Sequence, residues 1–187
     1  MSFIGHMMRK TFYLLVPALL LMASAMQLSS CGDKDEEFLF EVNYAYNIDV
    51  PRGQNPSLSI VFPFTNLESD VALELDRRGI SMDDVTTINT TRARLDLIDF
   101  NSDFSNFEEV VVNTYLGIDP TANPFEAAYT IEIRERYQDQ LDLVPSLTNL
   151  KEVMVSDRFS MELQLRPRRV ILESMEVRFS ISFGVIL

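Results

Sequence analysis

Alternation of apolar and polar residues at both ends of the segment from Phe38 to Leu187 constrains the fold of this chain more than any other feature. The stretch Phe38–Val50 has an apolar side chain at every even position, and Met175–Val185 has one at every odd position. Successive side chains of a β-strand point to opposite faces, so a period of two predicts strands with one buried face. Both ends of this segment are therefore predicted to lie in β-sheet.

Shorter runs between these two stretches show the same alternation. They predict further strands at Leu58–Phe64, Thr86–Phe100, Val110–Leu116, Ala127–Glu135 and Phe159–Leu165. Pro63 lies in the first of these runs, and a proline there is typical of an edge strand or a bulge. The residues RPRRV before the last strand predict either a hairpin or a β-arch.

Short helical elements are predicted between the strands. Glu68–Gly79 begins with acids and ends with two arginines and a glycine, which favours a helix because these residues match its dipole and its cap. Ser81–Asp84 and the sequence NSDFSNFEE each predict a single capped turn. Ser146–Met154 is predicted to form a short helix.

This order of elements predicts a mainly β fold. The strands do not alternate regularly with helices, as they would in βαβ units. This favours an antiparallel two-sheet β-sandwich, immunoglobulin-like or jelly-roll-like, with two or three short helical insertions. We expect residues 38–187 to form this single sandwich domain, because the segment contains no linker or repeat and is long enough for a hydrophobic core.

The first 30 residues have the pattern of a secretory signal peptide. Arg9 and Lys10 precede an apolar run from Phe12 to Met22, and small residues follow. A bilayer-spanning helix needs about 20 apolar residues, so this shorter run after a basic start predicts a signal peptide instead. A buried core helix is the alternative, which is disfavoured because the run contains a proline and has no polar face.

The residues LSSC, which end at Cys31, resemble the lipobox of bacterial lipoproteins. In that family the cysteine is diacylated, with chains such as palmitate, and becomes the first residue of the mature protein. The resemblance implies a lipoprotein signal peptide at residues 1–30 and a lipid anchor on Cys31. An ordinary signal with an incidental cysteine is the alternative. Cys31 is the only cysteine, so no disulfide within the chain is possible.

The residues GDKDEE resemble the acidic export signal of Bacteroidota-type surface lipoproteins, which directs them to the outer face of the outer membrane. The residues that carry this resemblance are Asp33, Lys34, Asp35, Glu36 and Glu37. A solvated acidic linker is the alternative. If residues 31–37 are the lipidated cysteine and its tether, the six residues Gly32–Glu37 reach at most about 20 Å. We therefore expect the domain to lie close to the membrane, beside an envelope protein.

The charge balance disfavours two kinds of partner. All 28 acidic residues lie at or beyond Asp33, whereas loss of the signal would leave 14 of the 16 basic residues and a net charge of −14. Nucleic acids and anionic lipid surfaces both attract basic faces, so neither is an expected partner. Arg166–Arg169 (RPRR) is the one basic cluster. It could bind an acidic partner or a lipid headgroup, although a solvated hairpin turn is the simpler interpretation.

The residue types for most catalysis are missing after the signal. The only histidine is His6, which excludes Ser–His–Asp and Cys–His catalysis and His- or Cys-based metal sites from the mature domain. Carboxylates remain as weak candidates for calcium ligands or an acid/base pair: Asp96, Asp99, Asp103, Glu108 and Glu109. Their spacing matches no calcium loop, and Asp103 is better explained as a helix cap. We expect no metal and no cofactor.

Exposed tyrosines could bind a sugar. The candidates are Tyr44, Tyr46, Tyr115, Tyr129 and Tyr137. The first two share a strand face with Phe38 and Phe40, which favours core packing for them. The sequence thus favours a non-enzymatic surface lipoprotein that acts as an accessory or structural subunit through protein–protein contacts. A glycan- or ligand-binding surface module is the alternative, and a carboxylate-based hydrolase is least favoured.

Overall fold

Eight antiparallel strands make up most of the computed structural model, which describes residues 38–99, 102–117 and 123–187. The strands are β1 (Phe38–Val50), β2 (Ile60–Glu68), β3 (Thr87–Leu97), β4 (Phe107–Leu116), β5 (Phe125–Ile131), β6 (Gln140–Pro145), β7 (Arg158–Pro167) and β8 (Met175–Ile186). Within these ranges there are two α-helices, α1 (Val71–Arg78) and α2 (Lys151–Val155), and 3-10 turns at Met82–Asp84 and Phe104–Asn106. The predicted mainly β, antiparallel fold is confirmed.

The strands form one continuous, nearly closed sheet in the order β1-β8-β3-β6-β5-β4-β7-β2. Its weakest connection lies between β5 and β6, where only Ala128 pairs with Pro145 and Tyr129 with Val144. The first half of β6 pairs with β3 instead, so this strand passes from one neighbour to the other. The hydrogen bonding therefore makes a single sheet, where two separate sheets were expected.

The core lies inside this curled sheet and brings the two end strands, β1 and β2, together. The rings of Tyr46 on β1 and Phe64 on β2 stack with their centroids 4.5 Å apart. Tyr44 meets Phe159 of β7 edge-on, with ring centroids 5.4 Å apart. The alternating positions of β1 and β2 thus supply the aromatic side chains that fill the space between these two end strands.

β2 is an edge strand, as Pro63 predicts. It pairs only with β7, and its register shifts between Phe64 and Leu67, where Asn66 has a φ of 61°. A proline cannot donate to a neighbouring strand, and a bulge twists an edge away from further pairing. These features make β2 a poor template for an additional strand.

The first helical predictions are confirmed, except that α1 begins at Val71, whereas Glu68 is the last residue of β2. Gly79 follows α1, and its φ of 67° is the left-handed conformation that glycine adopts without strain. The hydroxyl of Ser81 accepts from the Asp83 N–H, and the carboxylate of Asp103 accepts from the Ser105 N–H. Both capped turns thus form where the sequence places them.

Two predictions in the second half of the chain are wrong in extent. β5 ends at Ile131 rather than Glu135, because Glu132 has a φ of 57° and breaks the strand. The helix expected over Ser146–Met154 begins only at Lys151. β6, a six-residue strand with two buried leucines, Leu141 and Leu143, was not predicted from the sequence.

The connection before the last strand is a β-arch, and the hairpin alternative is wrong. β7 pairs with β4 and β2, whereas β8 lies between β1 and β3. The two consecutive strands are thus in different parts of the sheet. Arg166–Arg169 therefore lies at the start of an arch and not in a hairpin turn.

The register gives the sheet two distinct ends. Phe38 at the start of β1 pairs with Ile186 at the end of β8, which also pairs with Thr87 at the start of β3. We call this the tether end. Both helices lie there, because α1 connects the end of β2 to the start of β3, and α2 connects the end of β6 to the start of β7. The opposite end, where Val50 pairs with Met175, is the far end.

Candidate interaction surfaces

The predicted lipidation and export residues lie outside the described residues. They are Cys31, Asp33, Lys34, Asp35, Glu36 and Glu37. The described part of the chain begins directly after them, and Phe38 is already the first residue of β1. No helix within the three described ranges has the length and apolar character needed to cross a bilayer.

The carboxylates proposed as a possible metal or acid/base cluster make separate local contacts. Asp96 pairs with Arg94, with 2.9 Å between oxygen and nitrogen. Asp99 accepts from the Glu176 N–H at 3.0 Å, and Asp103 from the Ser105 N–H at 2.6 Å. Within the described residues, no group of three or more His, Cys, Asp or Glu side chains could hold a metal ion.

The basic cluster Arg166–Arg169 contacts groups of the same chain. Arg166 pairs with Glu109 at 3.0 Å and with Glu108 at 3.4 Å. Arg168 donates to the carbonyl oxygen of Ile133 at 2.7 Å and pairs with Glu135 at 3.3 Å. These contacts link the β-arch to neighbouring strands and loops, so the cluster serves the fold of the far end.

Two of the candidate sugar-binding tyrosines are part of the core. The Tyr44 hydroxyl donates to the carbonyl oxygen of Glu68 at 3.2 Å and accepts from the Asp70 N–H at 3.3 Å. Burial raises the pKa of Tyr44 to about 12. Burial also raises the pKa of Tyr46, and the nearby carboxylate of Asp70 adds to this. Both side chains stabilise the contact between β1 and β2, as the alternation predicts.

The other three tyrosines lie at different places. Tyr115 on β4 is buried, and its pKa is raised by burial and then by Glu162. Tyr129 is half-buried on β5, where it pairs with Val111 of β4. Tyr137 is exposed in the loop between β5 and β6. The five tyrosines therefore do not form one aromatic surface.

A cleft of about 260 Å³ lies at the far end, beside the β-arch. Its walls are Ser102, Asp103, Asn106, Arg169, Val170, Ile171, Leu172, Glu173 and Met175. Arg169 donates to the Ser105 hydroxyl at 3.3 Å. Within the described part of the chain its guanidinium has no carboxylate partner. The cleft therefore combines one available cation with polar and apolar walls, and its volume is below that of most small-molecule sites.

A second candidate surface, which was not predicted from the sequence, lies at the tether end. Leu147, in the connection between β6 and α2, is 96% exposed. A depression of about 430 Å³ lies beside this connection, lined by Asn149, Lys151, Glu152 and Val155. The residues PSLTN favour a turn and could have indicated this connection, but the helix predicted over Ser146–Met154 included most of them.

Comparison of the sequence with protein-family models and with curated proteins gives no match.

Proposed function

We propose that the chain is a surface-exposed lipoprotein of a bacterial outer membrane, anchored by a lipid on Cys31. In this proposal it is a non-enzymatic accessory or structural subunit that acts through protein–protein contacts close to the membrane. The observation that carries the proposal is the order of sequence features: a short apolar run, then LSSC, then GDKDEE. Each resembles a part of one export route, and their order is the one that route requires.

The position of the first strand supports action close to the membrane. β1 begins at Phe38, so only Gly32–Glu37 separate Cys31 from the folded domain. Six residues reach at most about 20 Å. A domain held this close to a bilayer is well placed to contact an integral membrane protein, and poorly placed to capture distant ligands.

Lipidation can be tested by the mass of the mature protein. We expect the purified chain to begin at Cys31 and to carry the mass of its acyl chains, and a Cys31→Ser variant to retain the signal peptide. A mature wild-type protein without added lipid mass would contradict the anchor. The Cys31→Ser variant serves as the control, since it removes only the acylated thiol.

Surface exposure can be tested by protease treatment of intact cells. The wild type should be degraded, whereas a variant with the acidic stretch Asp33–Glu37 neutralised should be protected because it remains on the inner face. Equal protection of the two proteins would contradict export.

An integral protein partner should be recovered with the lipoprotein in mild detergent, and recovery of the lipoprotein alone in every detergent would contradict the accessory role.

We infer that the curled sheet works as a two-layer sandwich that divides at β6. Side chains of the two halves face each other, since Tyr44 of β1 contacts Phe159 of β7 and Phe64 of β2 stacks on Phe179 of β8. The sparse pairing between β5 and β6 supports a boundary there.

Ligand or glycan binding is the second candidate function, and the cleft at the far end favours it. Asn106, Ser102 and Arg169 supply hydrogen-bonding groups of the kind that bind sugar hydroxyls or carboxylates. A glycan array that includes acidic sugars tests this function. Binding that an Arg169→Ala variant loses would support it, and an array without signal would exclude it.

A further inference from the structure

Leu147 is presented to solvent by a turn that is held in place on both sides. The Ser146 N–H donates to the carbonyl oxygen of Ala127 at 2.9 Å. The Ser146 hydroxyl also bonds to the Thr148 hydroxyl at 2.8 Å and accepts from the Thr148 N–H at 3.3 Å. Both neighbours of Leu147 are thus fixed, and its side chain projects from an ordered turn instead of a loose loop.

The next residues attach the same turn to β3. The Asn149 side-chain oxygen accepts from the Ile88 N–H at 3.2 Å and from the Lys151 N–H at 2.9 Å. The Leu150 N–H donates to the Ile88 carbonyl oxygen at 2.7 Å. Asn149 and Leu150 therefore bond β3 as a neighbouring strand would. Because the turn is already held by these bonds, its backbone has little conformational entropy to lose when Leu147 binds.

Other exposed apolar side chains belong to elements of the tether end. Phe38 at the start of β1, Leu73 on α1 and Leu116 at the end of β4 are 54%, 50% and 41% exposed. A protein interface needs a contiguous, closely packed centre, whereas the strength of association with a lipid surface increases with the apolar area that enters it.

The length of the tether determines what this end of the domain faces. If Cys31 is lipidated, as the proposed function requires, the start of β1 lies within about 20 Å of the bilayer. The start of β1 belongs to the tether end, so Phe38 and Leu147 lie on the side of the domain nearest the lipid.

We propose that the tether end rests on the bilayer, with Leu147 and Phe38 inserted among the lipid headgroups. This second attachment adds to the acyl chains and fixes the orientation of the domain, so that the far end and its cleft point away from the membrane. The attachment is apolar, because α1 and the following turn carry more acids than arginines: Glu74, Asp76, Asp83 and Asp84 against Arg77 and Arg78. It should therefore withstand high salt, which screens charge–charge attraction.

The absence of tryptophan from the sequence makes a direct test possible. In the full lipidated chain, Leu147→Trp places the chain's single tryptophan at the tether end, and its emission can be excited selectively over that of the tyrosines. Leu172→Trp is the matched control, since Leu172 is 82% exposed on the β-arch at the far end. Both variants are reconstituted through their own acyl chains into phosphatidylcholine vesicles, with and without brominated acyl chains that quench tryptophan on contact.

We expect brominated lipid to remove about half of the emission of the Leu147→Trp variant, because an inserted side chain lies about 5–10 Å into the interface. The effect should persist in high salt, and the Leu172→Trp variant should show none. Equal quenching of both variants, or of neither, would overturn the proposal. So would a Leu147→Trp emission that is unchanged by vesicles but shifts in native membranes, since a protein would then cover this end. The mass of the same samples separates this failure from failure of the anchor, because an acylated protein without quenching refutes only the inserted contact.

Discussion

The Asn149 side chain is one of the groups that hold the turn carrying Leu147, and its removal should destabilise the domain. In an Asn149→Ala variant the N–H groups of Ile88 and Lys151 lose their shared acceptor. Ile88 is fully buried, whereas Asn149 is exposed, so water that enters the space left by the side chain can replace part of the lost bond. A buried N–H left without a partner costs about 1–3 kcal/mol, and this access of water places the expected loss at the lower end of that range. For a domain of this size, each kcal/mol lowers the melting temperature by about 2–4 °C, so a loss near 1 kcal/mol should lower it by about that amount.

Urea unfolding followed by circular dichroism measures this loss. The matched control is Asn149→Asp, which retains the accepting oxygen, loses the donation to the Thr86 carbonyl oxygen, a long contact of 3.4 Å, and adds one negative charge at an exposed position. We expect the Asp variant to stay close to the wild type. If the Ala variant were as stable as the wild type, or the two variants were equally destabilised, the acceptor role of Asn149 would be wrong. In the vesicle experiment, Asn149→Ala should also weaken the quenching at position 147, since the turn is then less ordered.

Two further predictions concern close contacts in the sheet. In Gly184→Ala the new Cβ would lie 2.5 Å from the Thr91 methyl group and 2.8 Å from the Phe38 ring. We therefore expect urea unfolding to show a destabilisation of about 1–3 kcal/mol, which adding Thr91→Ser should relieve in part. The variant Tyr44→Phe tests the pKa of about 12. Because an unfolded tyrosine titrates near pH 10, the stability of the wild type should be intact below about pH 10 and fall as the pH rises towards 12. The fall should be smaller in the variant, and equal falls would contradict the assignment.

The parts of the fold that the sequence predicts are those in which local pattern and burial agree. Phe38–Val50 alternates over many residues and has one buried face, which is the condition under which a period of two is informative. Met175–Ile186 alternates in the same way in its first half, whereas Ile181–Val185 is buried on both faces. The caps at Ser81 and Asp103 and the glycine after α1 were predicted because their chemistry acts within two or three residues.

The parts that were missed depend on pairing between distant residues. β6 has only two buried leucines, and its pairing changes from β3 to β5 along six residues. The segment alternates, with Leu141 and Leu143 buried between exposed neighbours, but two apolar positions are too few to distinguish a strand from a loop. The adjacent turn resembles a helix start by composition, yet Asn149 bonds Ile88, which lies 61 positions away in the sequence. A local pattern carries no information about such a partner.

The same limit applies to the candidate surfaces. The exposure of Leu147 and its placement at the end of the sheet where β1 begins both follow from the strand order, and the order β1-β8-β3-β6 could not be read from the sequence. The proposed export signal, in contrast, depends only on neighbouring residues, so the sequence alone is enough to suggest it. In our proposal Cys31 carries the lipid, and the sheet shows which side chains lie at the end of the domain where β1 begins. The proposed orientation of the domain on the membrane rests on both, and the paired tryptophan variants test the two together.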